Sequence, residues 1–249
     1  EAKAEFAILD LAINRTLPGV SQHPPILLLD AGMRSGGPKS EASLKPPFAA
    51  MVAEPALTGK EQTVNSSSKY VFVLGNNNGL LQGLVQKPRS EQVAATLRVA
   101  GMAHANGLTL IGGVHSNGAA TMLNVLNEFN RGTRRNVFRD LFFVGPGLHH
   151  GRLVELAKAA LHNGINHAYI LSASNDHVLR LGLFTLDNRL GLQQVQRLDP
   201  NKITAIYTHN RFSNDNLMLE HFEHQTHNNH HIFDYLDAWH RGGSAAEVP

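Results

Sequence analysis

The sequence predicts an α/β fold: a mostly parallel β-sheet with helices on both faces, stacked in three layers. Three observations carry the prediction. From residue 70 onward, short apolar runs alternate with longer segments whose apolar residues recur at helical spacing. The runs are apolar throughout rather than alternating, as strands covered on both faces are. Each closes on glycine or a small polar residue, where the chain can turn into a helix.

The elements follow in order. Before residue 70, Pro, Gly and Ser concentrate in Pro24-Pro25, Ser35-Gly36-Gly37-Pro38, Pro46-Pro47 and Ser66-Ser67-Ser68. Within that stretch Ile26-Leu27-Leu28-Leu29 reads as a short strand, and the remainder as irregular chain with one or two short helices. Tyr70–Leu74 is a buried strand closed by Gly75. Ser90–Ala105 is charged at its start and Ala-rich, the pattern of a helix. Leu108–Gly113 is a second buried strand, followed by a helix over Gly118–Phe129. Leu141–Gly145 is a third, with a helix from Gly151 to Leu161, and His167–Leu171 a fourth, with a helix starting near Val178. Leu217–His224 reads as the last strand. An amphipathic terminal helix over Ile232–Trp239 follows, capped by Asn228 or Asn229.

Composition narrows the function classes. The 249 residues carry 22 basic and 20 acidic side chains, 22 − 20 = +2, which gives no electrostatic case for nucleic acid. Its one basic cluster, Arg131, Arg134 and Arg135, reads as a solvated loop. Hydrophobic content of 42% excludes a disordered chain. No apolar run approaches the roughly 18 residues of a membrane span. With no cysteine, disulfide staples, thiolate metal sites and a cysteine nucleophile are all excluded.

In parallel sheets, ligands sit beyond the carboxyl ends of the strands. The second strand runs into Val114-His115-Ser116-Asn117-Gly118-Ala119 and then a helix. A serine on such a turn has its hydroxyl pushed clear of the sheet, near the helix's first amides, which suits a nucleophile attacking a carbonyl. The alternative is a serine that only caps the helix. Asp176, in Ser172-Ala173-Ser174-Asn175-Asp176-His177, follows the fourth strand, where a carboxylate can orient an imidazole; taken alone, it reads first as the N-cap of the helix starting near Val178. A histidine base is expected near the end of the chain. His227 lies in the loop between the last strand and the last helix, with His230 and His224 as substitutes. Amides of Asn117, and of Gly75 and Asn76 after the first of these strands, are the candidate oxyanion donors. Leu74–Gly79 also reads as a plain Asn-Gly turn.

Taken together, residues 70 to about 240 resemble an α/β-hydrolase of the serine esterase or lipase type. Leu110–Ala119 is similar to that family's nucleophile elbow, and Phe142–Gly147, Asn175–Val178 and His227–Asn229 fall where its next strand, acid and histidine belong. Val114 stands where the family usually has a glycine, two residues before the serine. The resemblance implies Ser116 as nucleophile, Asp176 as acid, a C-terminal histidine as base, an acyl-enzyme intermediate and no cofactor or metal. One domain over 1–249 is expected, with a catalytic core over 66–241, a tail over 242–249, and an irregular part over 1–65 that matches nothing in the family and supplies either the sheet's first strands or a lid. The partner expected is a small-molecule or lipid ester, with transient contact at a membrane surface in the lipid case. A looser similarity, to lipase-like domains of bacterial secreted effectors and toxins, points to a secreted or extracytoplasmic setting.

Two other readings compete. Hydrolase folds can persist as binding modules without catalysis. The cluster Glu220, His221, Glu223, His224, His227, His230 and His231 offers ligands for a metal-dependent hydrolase, although its spacing matches no established ligand motif.

Overall fold

In the computed structural model, the residues described are 4–6, 8–10, 26–33, 71–76, 87–173 and 188–208. They build six strands and four long helices: β1 (Ile26–Met33), β2 (Val71–Asn76), α1 (Ser90–Ala105), β3 (Leu110–His115), α2 (Gly118–Arg131), β4 (Asp140–Val144), α3 (His150–Asn163), β5 (His167–Ala173), α4 (Asn188–Leu198) and β6 (Ile203–Thr208). A short helical segment over residues 4–10 buries Ala4 and Ile8 in the core.

All five strand pairings are parallel, and the sheet order is β2-β1-β3-β4-β5-β6. This is the α/β architecture the sequence predicts. The strand read at Ile26–Leu29 is β1 and runs on to Met33, between β2 and β3. From β2 to β6 every crossover steps in one direction across the sheet, so right-handed connections place α1–α4 in one layer. Contacts of α1 with α2, α2 with α3, and α3 with α4 agree. Helices of a second layer would fall outside the described residues.

Strand residues alternate between the faces. Ile26, Leu28, Leu74, Leu110, Val114, Leu141, Phe143, Ala168, Ile170 and Ile203 join the helical core. Leu27, Leu29, Val71, Ile111, Phe142, Val144, Tyr169 and Leu171 on the other face are buried as well, which explains the continuously apolar runs. Phe142 and Tyr169 stack across β4 and β5 there, with ring centroids 4.7 Å apart.

At the amino edge of the sheet, a buried amide ties the loops together. Asn163 accepts from the Val137 amide through Oδ1 (3.2 Å) and donates through Nδ2 to Asn130 Oδ1 (3.1 Å) and the Arg134 carbonyl (2.9 Å). Its own carbonyl accepts from the Asn136 amide at 2.6 Å. Every polar group of that side chain is therefore matched, as burial demands. Gly164 follows at φ 91°, ending α3 in the left-handed region that favours glycine.

Two elements depart from the sequence reading. The pattern reading passes over α4 and β6 and puts a last strand at Leu217–His224; that segment and the terminal helix lie outside the described residues. Gly191 lowers the helical signal of α4, yet a methyl there would stand 2.9 Å from His150 Cβ, so the glycine lets α4 pack closely on α3. The β6 sequence, Ile-Thr-Ala-Ile-Tyr-Thr, mixes polar with apolar residues, a weaker signal than the runs inside the sheet.

Candidate active site

The site is built where β3 meets α2. Ser116 has φ 51°, a left-handed conformation that is unfavourable for a residue with a Cβ by roughly 1–2 kcal/mol. Hydrogen bonds hold it there. Its amide donates to the Val144 carbonyl at 3.2 Å. Its carbonyl accepts from Gly147 at 2.8 Å and from Ala119, in the first turn of α2, at 3.2 Å. A non-glycine residue held in this way between a strand and a helix is the geometry of a nucleophile elbow. Asn117 at φ −64° is the cap residue of α2, and its amide follows the serine directly.

The close packing that an elbow needs comes from two neighbouring strand ends. A methyl on Gly147, in the turn after β4, would lie 3.2 Å from the Asn117 nitrogen and from the Ser116 carbonyl carbon. On Gly32, at the end of β1, it would lie 2.9 Å from Ser116 Cβ, 3.1 Å from His115 Nδ1 and 3.4 Å from Ser116 Oγ. Val114, the departure from the family pattern, is fully buried in the helical core, and α2 begins Gly118-Ala119-Ala120 beneath it. The chain thus admits a valine two residues before the serine by being small elsewhere. His115 and Ser116 are themselves buried.

The other residues expected from sequence are placed as follows. Gly75 and Asn76 end β2, which β1 separates from β3; at the usual strand spacing they lie roughly 10 Å from the serine's strand. The strand end that meets Ser116 from that side is β1, and the residue there is Gly32. Local pattern reading misses Gly32 because it depends on which strand neighbours β3. The signal was present all the same, in the glycine-containing turn Asp30-Ala31-Gly32 that closes an apolar run. Asp176 lies three positions beyond the end of β5, 176 − 173 = 3, outside the described residues, as do His224, His227 and His230. No group of three metal-ligating side chains occurs among the described residues, and the histidine cluster lies outside them.

A parallel sheet that delivers a left-handed serine into a helix is the arrangement of α/β-hydrolases of the serine esterase and lipase type. Comparison with known proteins gives likeness of fold alone. No family model and no curated protein matches the chain. It is similar to a solved structure described under LipS and LipT, two metagenome-derived lipolytic enzymes, with 10% identity and a TM-score of 0.45, over 91% of this chain and 99% of that one. It is also similar to brefeldin A esterase, a bacterial homologue of human hormone-sensitive lipase, with 11% identity and a TM-score of 0.44, over 93% of this chain and 72% of that one.

Proposed function

We propose that this protein is a serine hydrolase that cleaves carboxyl esters, with Ser116 as nucleophile. The observation that carries the reading is the left-handed serine between β3 and α2, wedged by Gly32 and Gly147. Attack of the Ser116 hydroxyl on the ester carbonyl forms a tetrahedral oxyanion, whose collapse expels the alcohol and leaves an acyl-enzyme that water hydrolyses. The Asn117 amide, at the start of α2, is one donor to the oxyanion, and the end of β1 around Gly32 is the place for a second. Asp176 orients a C-terminal histidine, His227 first and His230 or His224 in its place, which takes the serine proton and returns it to the leaving group. A lipid or phospholipid ester is the finer proposal for substrate, on the strength of the apolar segments Leu80–Val85 and Leu181–Phe184 that follow strand ends in the sequence.

Intact-mass spectrometry after treatment with a fluorophosphonate tests the nucleophile. One adduct is expected on the wild type and none on Ser116→Ala. A folded wild type that takes no adduct would turn attention to the histidine cluster or to a binding role. Loss of ester turnover on chelation, restored by Zn²⁺, would favour the metal-dependent reading.

Gly32 gives a second test. In Gly32→Ala the added methyl must displace Ser116 or His115, since 2.9 Å is closer than real Cβ contacts come. The fluorophosphonate labelling rate is expected to drop on the order of 10²-fold, because nucleophile placement is sensitive to shifts of about 1 Å. A labelling rate equal to the wild type's would remove Gly32 from the site.

A further inference from the structure

Asp30 is fully buried, and the proposed chemistry does not use it. It is the last residue of β1 paired on both sides, opposite Leu74 of β2 and Val114 of β3. Immediately after it the pairing with β2 slips: Asp30 lies opposite Leu74, but Met33 lies opposite Asn76. Three steps on β1 thus match two on β2, the mark of a bulge. Gly32, the residue set against Ser116, lies inside that slipped stretch. The regular ladder therefore ends at Asp30, whose side chain adds a tie to another element just before the site.

That side chain reaches across to α1. Thr96 Oγ1 lies 2.8 Å from Asp30 Oδ1 and 3.0 Å from the Gln92 carbonyl oxygen. A threonine hydroxyl carries a single proton, so it cannot donate to both oxygens at once. Protonated Asp30 resolves the competition: the carboxyl donates to Thr96, and Thr96 donates to the Gln92 carbonyl. Ionised Asp30 accepts the Thr96 hydroxyl's hydrogen bond and leaves the Gln92 carbonyl without it. Burial favours the neutral form and pushes the carboxyl up to about 7, against the Thr96 hydroxyl and the neighbouring Gln92 amide, which favour the charged form. Asp30 Oδ2 has no hydrogen-bond partner among the described residues, in keeping with this balance.

We propose that Asp30 is a positioning residue for the Ser116 site: by tying the end of β1 to α1, it sets how closely Gly32 stands against the serine. The inference rests on Ser116 being the nucleophile. Among the described residues, the groups set against Asp30 are uncharged: Thr96 and Gln92 from α1, Leu74 from β2 and Val114 from β3, while the first turns of α2, which packs on β1, bury only the uncharged Ala119, Ala120, Thr121 and Met122. Glu5, on the N-terminal segment, is engaged with Arg98 on the exposed side of α1. The titratable group on the adjoining strand end is His115, whose Nδ1 stands beside Gly32.

The test compares wild type, Asp30→Asn and Thr96→Val between pH 5 and pH 8. Asparagine keeps the shape and can still donate to Thr96, but it cannot ionise. Two readouts are taken: kcat/KM on a simple ester, and hydrogen-exchange protection of the peptide spanning Asp30–Met33, corrected for intrinsic exchange. The ratio of kcat/KM, Asp30→Asn over wild type, is expected to climb about tenfold from pH 5 to pH 8, and the ratio of protection to climb with it. Thr96→Val, which removes the tie without a titration, is expected to lose protection at both pH values. The urea midpoint supplies the sign. The unfolded carboxyl ionises near pH 4 and the folded one near 7, so wild-type stability falls over that window relative to Asp30→Asn and is level above it.

A Thr96→Val variant that keeps wild-type protection over Asp30–Met33 and wild-type kcat/KM at both pH values would overturn the proposal and leave the hydrolase reading standing. A wild type that takes no fluorophosphonate adduct would end the hydrolase reading. Positioning of a reacting serine would fall with it, while exchange would still report whether Asp30 holds the end of β1.

Discussion

Replacing Ser116 with alanine is expected to lower kcat on an ester substrate by on the order of 10⁶. The effect is that large because, in the proposed reaction, the hydroxyl forms the covalent bond and no other nucleophile occupies the turn. The fold should survive. Alanine adds no volume, and the hydrogen bonds that hold the left-handed backbone come from main-chain atoms of Val144, Gly147 and Ala119. Turnover of an activated aryl ester, measured beside far-UV circular dichroism and a thermal melt, separates the two quantities. A folded variant that kept more than about one per cent of wild-type turnover would show that the chemistry runs through another residue.

Asp176→Asn is expected to lower kcat by on the order of 10⁴ without unfolding the protein. The asparagine amide presents a donor where the imidazole N–H needs an acceptor, so the base is held in the wrong tautomer. The pH profile adds a signature that a packing defect lacks. The base works as neutral imidazole, so kcat/KM falls as pH drops through its titration range. A neighbouring carboxylate favours the imidazolium, so removing it lowers the imidazole pKa and moves that acid limb to lower pH. Turnover within about tenfold of wild type, with the limb unmoved, would take Asp176 out of the role.

Much of the frame could be read from local pattern. Ser90–Ala105 matches α1 to the residue, because charge at its start and alanine through its body are local properties of a helix. The runs at Leu110–Val114, Leu141–Val144 and His167–Leu171 stand out because both faces of the inner strands are buried. The order of the strands was not legible. That β1 lies between β2 and β3 is a fact about residues more than 80 positions apart, as in the pairing of Ile26 with Leu110, 110 − 26 = 84. It decides that Gly32, rather than Gly75, stands beside Ser116. Asp30 is hidden for the same reason: a lone acidic residue in a turn looks solvated until Thr96 is found against it.

The Asn163 amide bears on how such a protein can change over generations. Its bonds to Asn130, Arg134, Asn136 and Val137 gather the end of α2, the approach to β4 and the end of α3 at one edge of the sheet, while Ser116 lies at the opposite edge. Mutations more than about 7–10 Å apart with no shared partners act on stability independently. If the proposed hydrolase chemistry holds, substitutions near Ser116 can then retune the choice of substrate while the far edge keeps the chain folded. Laboratory selection for a new substrate should find its winners in the sequence that follows β1, β4 and β5, and should leave Asn163 untouched.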